Sequence, residues 1–104
     1  MIKLNNTNFA EEIKNRKIVL VDFYATWCGP CGMQSQVLEK MQNSRSLDFD
    51  IAKVDVDESP KLAIEYGVDA IPTLIVFKEN KLVNRVVGYM DENKILEMID
   101  NIKD

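Results

Sequence analysis

Cys28 and Cys31 are the only cysteines in the 104 residues, and two residues separate them. A thiol pair at that spacing offers three kinds of chemistry. It can exchange electrons by opening and closing a small disulfide ring, form a structural disulfide, or supply half of a metal site. The chain contains no histidine. Ser-His-Asp and Cys-His nucleophile systems are therefore excluded, as is every cysteine–histidine zinc site. A zinc site would need two more cysteines or histidines, so thiol–disulfide exchange is the leading reading of the pair, ahead of a structural disulfide or half a metal site.

The elements flanking the pair favour that chemistry. Upstream, Ile18-Val19-Leu20-Val21-Asp22-Phe23-Tyr24-Ala25 is almost entirely apolar, rich in β-branched and aromatic residues, and does not alternate. That pattern fits a central strand buried on both faces, as in a parallel sheet. Asp22 is its one anomaly. Downstream, Met33, Val37, Leu38 and Met41 mark the apolar face of a helix. The sulfurs thus stand at the exit of a strand and the start of a helix. A helix N-terminus carries roughly half a positive charge and unpaired N–H groups, which favour a thiolate. Cys28, at the cap, is the expected nucleophile, and Cys31, one turn in and more covered, the expected resolving thiol. Gly29 lets the backbone turn closely, and Pro30 lacks a donor where none is needed while fixing φ.

The remaining chain reads as one continuous unit over 1–104, without repeats, low-complexity tracts or linkers. Ile2 to Leu4 suits a short strand. Thr7 or Asn8 offers a cap oxygen, and Glu11, three residues after Asn8, suggests a capping box for a helix with Phe9, Ala10 and Ile13 on one face, ending near Asn15. Asp50 to Asp55 reads as a strand. Ser59-Pro60 reads as a cap and first helical position, and Gly67 as the stop of that helix. Leu74 to Phe77 and Leu82 to Val87 are strands joined at Lys78 to Lys81, a turn that lacks the glycine preferred in tight hairpins. Asp91 is the expected cap of a last helix carrying Ile95, Leu96, Ile99 and Ile102. The order βαβαβαββα predicts an α/β fold with a central mixed sheet flanked by helices on both faces.

Composition narrows the function classes. The chain is 46% hydrophobic and 29% charged, with 13 Lys plus Arg against 17 Asp plus Glu, a net charge of −4. The charges are dispersed, so there is no basic stripe for nucleic acid and no polybasic patch for a membrane surface. No run approaches the roughly 18 apolar residues of a membrane span, and Met1 to Asn6 has no apolar core of the signal-peptide kind. A cytosolic location is the expectation, where close cysteine pairs are more often catalytic or metal-binding than structural.

The block Val21-Asp22-Phe23-Tyr24-Ala25-Thr26-Trp27-Cys28-Gly29-Pro30-Cys31 resembles the active-site segment of the thioredoxin family. Lys53-Val54-Asp55-Val56-Asp57, Tyr66-Gly67-Val68, Ile71-Pro72-Thr73 and Val87-Gly88 match later landmarks of that family in order. The similarity spans nearly the whole chain, and Trp-Cys-Gly-Pro-Cys is far more specific than a bare CxxC. The resemblance implies a thioredoxin fold and a monomeric general protein disulfide reductase with no bound cofactor. Nothing resembles a GxGxxG nucleotide loop, so a separate thioredoxin reductase would recharge it.

The resemblance also implies roles for single residues. Asp22 would take the proton of the resolving thiol, and Lys53 would modulate it; the alternatives are a carboxylate pointing to solvent and a solvated strand-end lysine. Burial of Asp22 would raise its pKa. The Ile71–Pro72 bond matches a cis bond in the family. Trp27, Gly29, Pro30, Ala70, Ile71, Pro72 and Gly88 would form a groove in which a substrate strand pairs with the backbone before Pro72. Against this, Trp27 could be a core residue and Gly88 a bulge. Gly32, Gln36 and Tyr24 depart from the commonest family pattern of a basic residue, a kinking proline and a tryptophan. From another function class, the fold could serve as a redox-independent protein-binding module. A dedicated oxidant fits less well, since oxidants and isomerases of this fold often carry a histidine between the cysteines.

Overall fold

The computed structural model describes residues 1–103. Its elements run β1 (Ile2–Leu4), α1 (Phe9–Lys14), β2 (Ile18–Tyr24), α2 (Gly29–Ser44), β3 (Asp50–Asp55), α3 (Pro60–Glu65), β4 (Thr73–Lys78), β5 (Lys81–Val87) and α4 (Glu92–Ile102). One sheet has the strand order β1-β3-β2-β4-β5. Pairings β1–β3 and β3–β2 are parallel, and β2–β4 and β4–β5 antiparallel. The central place of β2 explains its apolar run, interrupted only by Asp22, because both of its faces are covered. Val19, Val21 and Phe23 pack with Phe9 and Ile13 of α1 and Leu62 of α3. Ile18 and Leu20 point the other way, against Leu38 and Met41 of α2 and Ile95, Met98 and Ile99 of α4. The period of two along β2 therefore assigns one helix pair to each face.

Three local expectations are corrected. Asn8 sits at the N-cap position of α1 but makes no side-chain cap bond, because its backbone is already helical (φ −106°, ψ −8°) instead of extended. Its Oδ1 accepts from the Asn5 N–H at 2.8 Å and its Nδ2 donates to the Lys3 carbonyl at 3.1 Å, so the amide closes the preceding loop. Ser59 precedes Pro60 as expected but likewise makes no cap bond. On α2, Met33 is 56% exposed. The buried stripe is Cys31, Gln34, Leu38 and Met41, with Val37 half-buried. Met33 stands five residues before Leu38, roughly 140° around the helix, and so faces solvent.

Other expectations hold. The Asp91 carboxylate accepts the Lys94 N–H at 3.0 Å and caps α4. Gly67, after α3, has φ +65°. The hairpin between β4 and β5 closes tightly without glycine, with Glu79 (φ 49°) and Asn80 (φ 68°) both in the left-handed region. That is the backbone of the turn type whose twist matches paired strands. Among the described residues no helix is long and apolar enough to cross a membrane.

Candidate functional site

Strand β2 delivers the chain to the dithiol through a short turn in which the Cys28 N–H donates to the Ala25 carbonyl at 3.3 Å. Cys28 takes the N-cap position of α2 in an extended conformation (φ −91°, ψ 115°). Its sulfur accepts the Cys31 N–H at 3.2 Å, in the manner of a capping oxygen. Pro30 occupies the first turn, where its missing N–H costs nothing. That turn, Gly29 to Gly32, carries no charged side chain, so within it only the backbone N–H groups favour negative charge at the sulfur. The two cysteines are joined as a disulfide with Cα atoms 5.2 Å apart. Cys28 is partly accessible, whereas Cys31 is 2% exposed. Gly29 and Pro30 are exposed beside them.

A second segment faces the pair. Ile71–Pro72 is cis, and the Ile71 carbonyl oxygen lies 3.9 Å from Cys28 Sγ. The disulfide sulfur has no proton to donate, so this is a contact and not a hydrogen bond. The Thr73 hydroxyl donates to the Ala70 carbonyl at 2.6 Å, folding the loop before β4. The Gly88 N–H donates to the Pro72 carbonyl at 2.8 Å. Gly88 has φ +98°, and a Cβ built there would meet nothing within 4 Å, so conformation and not space calls for glycine. Trp27 is 71% exposed, and its indole N–H donates to Asp57 Oδ2 at 2.8 Å. It is a surface ring held by one bond, not a core residue.

Asp22 is 1% exposed, on the sheet face covered by α2 and α4, and its Oδ1 has no hydrogen-bond partner among the described residues. It stands in register with Lys53 of β3 and Leu74 of β4. Burial pushes its carboxyl up to about 7, with the Lys53 charge pulling in the opposite direction. The Lys53 ammonium lies 5.8 Å from the centre of the Tyr24 ring, close enough for a cation–π attraction. Of the other departures, Gly32 and Gln36 are exposed, and nothing lies within 4 Å of a Cβ built at Gly32.

Cys28, Cys31, Ile71, Pro72 and Gly88 are thus connected by bonds and contacts, although 43 residues separate Cys28 from Ile71. Gln34 was missed. It is 0% exposed, and its amide bonds both backbone groups of Met90. The available signal was a polar residue inside the Cys31–Leu38–Met41 stripe, since a buried amide must find partners. A cleft of about 450 Å³ lined by Met1, Ile2, Gln42, Arg45, Leu47, Phe49, Asp50 and Ile51 contains none of the residues facing the sulfurs.

The family model described as thioredoxin matches residues 1–101. A thioredoxin of Staphylococcus haemolyticus is 44% identical over 100 residues, covering 96% of this chain and 95% of that one. A thioredoxin of Mycobacterium bovis is 42% identical over 102 residues, covering 97% and 88%. Among solved structures, a mutant thioredoxin from Halobacterium salinarum superposes with a TM-score of 0.89 at 36% identity, covering 99% of this chain and 90% of that one. The oxidized mitochondrial thioredoxin 3 of Saccharomyces cerevisiae gives 0.85 at 37% identity, covering 97% and 94%. Such similarity along almost the full length, with the paired cysteines at the start of α2, is carried by the whole fold and not by a short motif. This chain belongs to the thioredoxin family, and through Cys28 and Cys31 it is a thiol–disulfide oxidoreductase that reduces protein disulfides.

Proposed function

We propose that the residues around the dithiol divide the reaction as follows. The Cys28 thiolate attacks one sulfur of a substrate disulfide, forming a Cys28–substrate bond and releasing the other substrate sulfur as a thiolate. The Cys31 thiol passes its proton to Asp22 and attacks Cys28 Sγ. The Cys28–Cys31 bond forms and the second substrate sulfur leaves. Two electrons move from the dithiol to the substrate, and both substrate sulfurs end as thiols once protonated. The observation that carries this division is the asymmetry of the pair: an accessible Cys28 sulfur accepting a helix N–H, and a buried Cys31 one turn behind it.

Asp22 suits a proton acceptor because burial holds its carboxyl near neutrality, where acceptance and release are both accessible. Lys53, in register with it, modulates that poise. Trp27, Gly29, Pro30, Ala70, Ile71, Pro72 and Gly88 form the dock, where the backbone before Pro72 pairs with an extended substrate segment. Disulfide-containing proteins are the substrates, and a separate thioredoxin reductase returns the electrons. Residues 1–104 act as one domain, as a monomer, in the cytoplasm, with no part for nucleic acid or membrane.

The test is reduction of insulin with dithiothreitol as the electron source, alongside recycling by NADPH and a bacterial thioredoxin reductase. Acceleration in both assays is expected. Acceleration above the dithiothreitol background that persists in Cys28→Ser would overturn the nucleophile assignment.

A further inference from the structure

Gln34 is a buried amide that the exchange reaction does not use. It lies three residues after Cys31 on the buried stripe of α2. Its Nε2 donates to the Met90 carbonyl at 3.0 Å, and its Oε1 accepts the Met90 N–H at 2.7 Å. Two bonds to one residue fix both position and orientation, as a rung of a sheet does. Met90 is two residues after Gly88, whose N–H is held by the Pro72 carbonyl. Gly88 to Met90 is therefore anchored at both ends: at Gly88 to the loop facing the sulfurs, and at Met90 to the helix bearing them. Tyr89, between the anchors, is exposed. The links form a ring, from Cys28 to Ile71 across the 3.9 Å contact, from Pro72 to Gly88, and from Met90 through Gln34 back along α2 to Cys31.

We propose that Gln34 is a positioning residue, which holds the Gly88–Met90 segment against the dithiol helix and so sets the affinity for protein disulfides without touching the sulfurs. This rests on reading Gly88 and its neighbours as part of the dock. An apolar residue at 34 would leave the Met90 N–H and C=O without partners, and the segment would move to find water. A protein substrate bound across several backbone contacts would register that movement; a small disulfide touching only Cys28 would not.

Steady-state kinetics of Gln34→Leu and Gln34→Met with insulin and with 5,5′-dithiobis(2-nitrobenzoate) test this. KM for insulin should rise about threefold to tenfold, the scale of one or two lost hydrogen bonds. Insulin kcat and the rate with the small disulfide should stay within about twofold of the parent. An unchanged insulin KM, or an equal loss with both substrates, would overturn the proposal. Trp27→Ala separates the two readings. If it raises insulin KM while the Gln34 variants do not, only the clamp falls; if neither raises it, the dock falls as well. Should the Gln34 variants fail to fold, amide exchange in the parent protein decides: a protected Met90 N–H beside a fast-exchanging Tyr89 supports the clamp, and rapid exchange at Met90 removes it.

Discussion

Asp22 and Lys53 stand opposite each other in the parallel register of β2 and β3, yet the lysine does not hold the carboxyl in its ordinary range. Burial dominates and pushes Asp22 up to about 7. The Lys53 ammonium also lies over the Tyr24 ring at 5.8 Å, on the same face of the sheet. A buried carboxyl with an unpartnered Oδ1 is costly to the fold when ionised, and useful to a reaction that needs a proton acceptor near neutral pH.

The cost makes a pH-dependent prediction. The folded-state value lies above that of the unfolded chain, so the native state binds more protons between the two and stability falls as pH rises from about 4 to about 7. Moving a carboxyl from 3.8 to about 7 corresponds to on the order of 4 kcal/mol at most. Asp22→Asn, unfolded in urea, should match the parent near about pH 4 and exceed it by a few kcal/mol near about pH 8.5. The same difference at both pH values would mean that ionisation of Asp22 is not the cause.

The use makes a kinetic one. Asp22→Asn should slow closure of the Cys28–Cys31 bond more than attack by Cys28, read in single-turnover experiments that follow mixed-disulfide formation and decay. Equal slowing of both steps would argue against proton transfer to Asp22.

Cys31→Ser should accumulate Cys28-linked mixed disulfides, visible as higher-mass bands on non-reducing gels that dithiothreitol removes. A Cys31→Ser protein that turns over insulin normally would overturn its resolving role.

The phase of α2 can be tested by paired truncations. Leu38→Ala removes a fully buried side chain facing β2 and should cost about 2–5 kcal/mol in denaturant unfolding. Met33→Ala, on the exposed side, should stay within about 0.5 kcal/mol. Similar losses at both sites would contradict the buried stripe from Cys31 to Met41.

The β4–β5 turn is open to improvement. Glu79 and Asn80 both have positive φ, so Glu79→Asn with Asn80→Gly should raise stability by about 1 kcal/mol, with an unchanged denaturant slope. No gain would mean that the parent pair is not strained there.

Much of this was legible in the chain because it rests on local regularities. The nearly continuous apolar run from Ile18 marks a strand covered on both faces, and alternation of strand and helix signals up to the closing hairpin sets the element order. On α2, Val37, Leu38 and Met41 pack into the core as expected and only Met33 turns outward, because Met33 is as apolar as the stripe and hydrophobicity alone does not say which side of the helix it takes. The Asn8 cap failed for a related reason: a short polar side chain suits a cap and a loop closure equally, and the backbone angles decide between them.

By itself, the sequence determined the chemistry: two sulfurs at a helix start, no histidine to redirect them, and a carboxyl inside an apolar strand. Residue types and short spacings carry that information. Only the tertiary structure decided which distant residues meet those groups, placing Ile71 against Cys28, Lys53 opposite Asp22 and Met90 on Gln34. Each of these depends on strand register and on which helix covers which sheet face. A local pattern does not contain that choice, because it is made by packing the whole chain around one sheet.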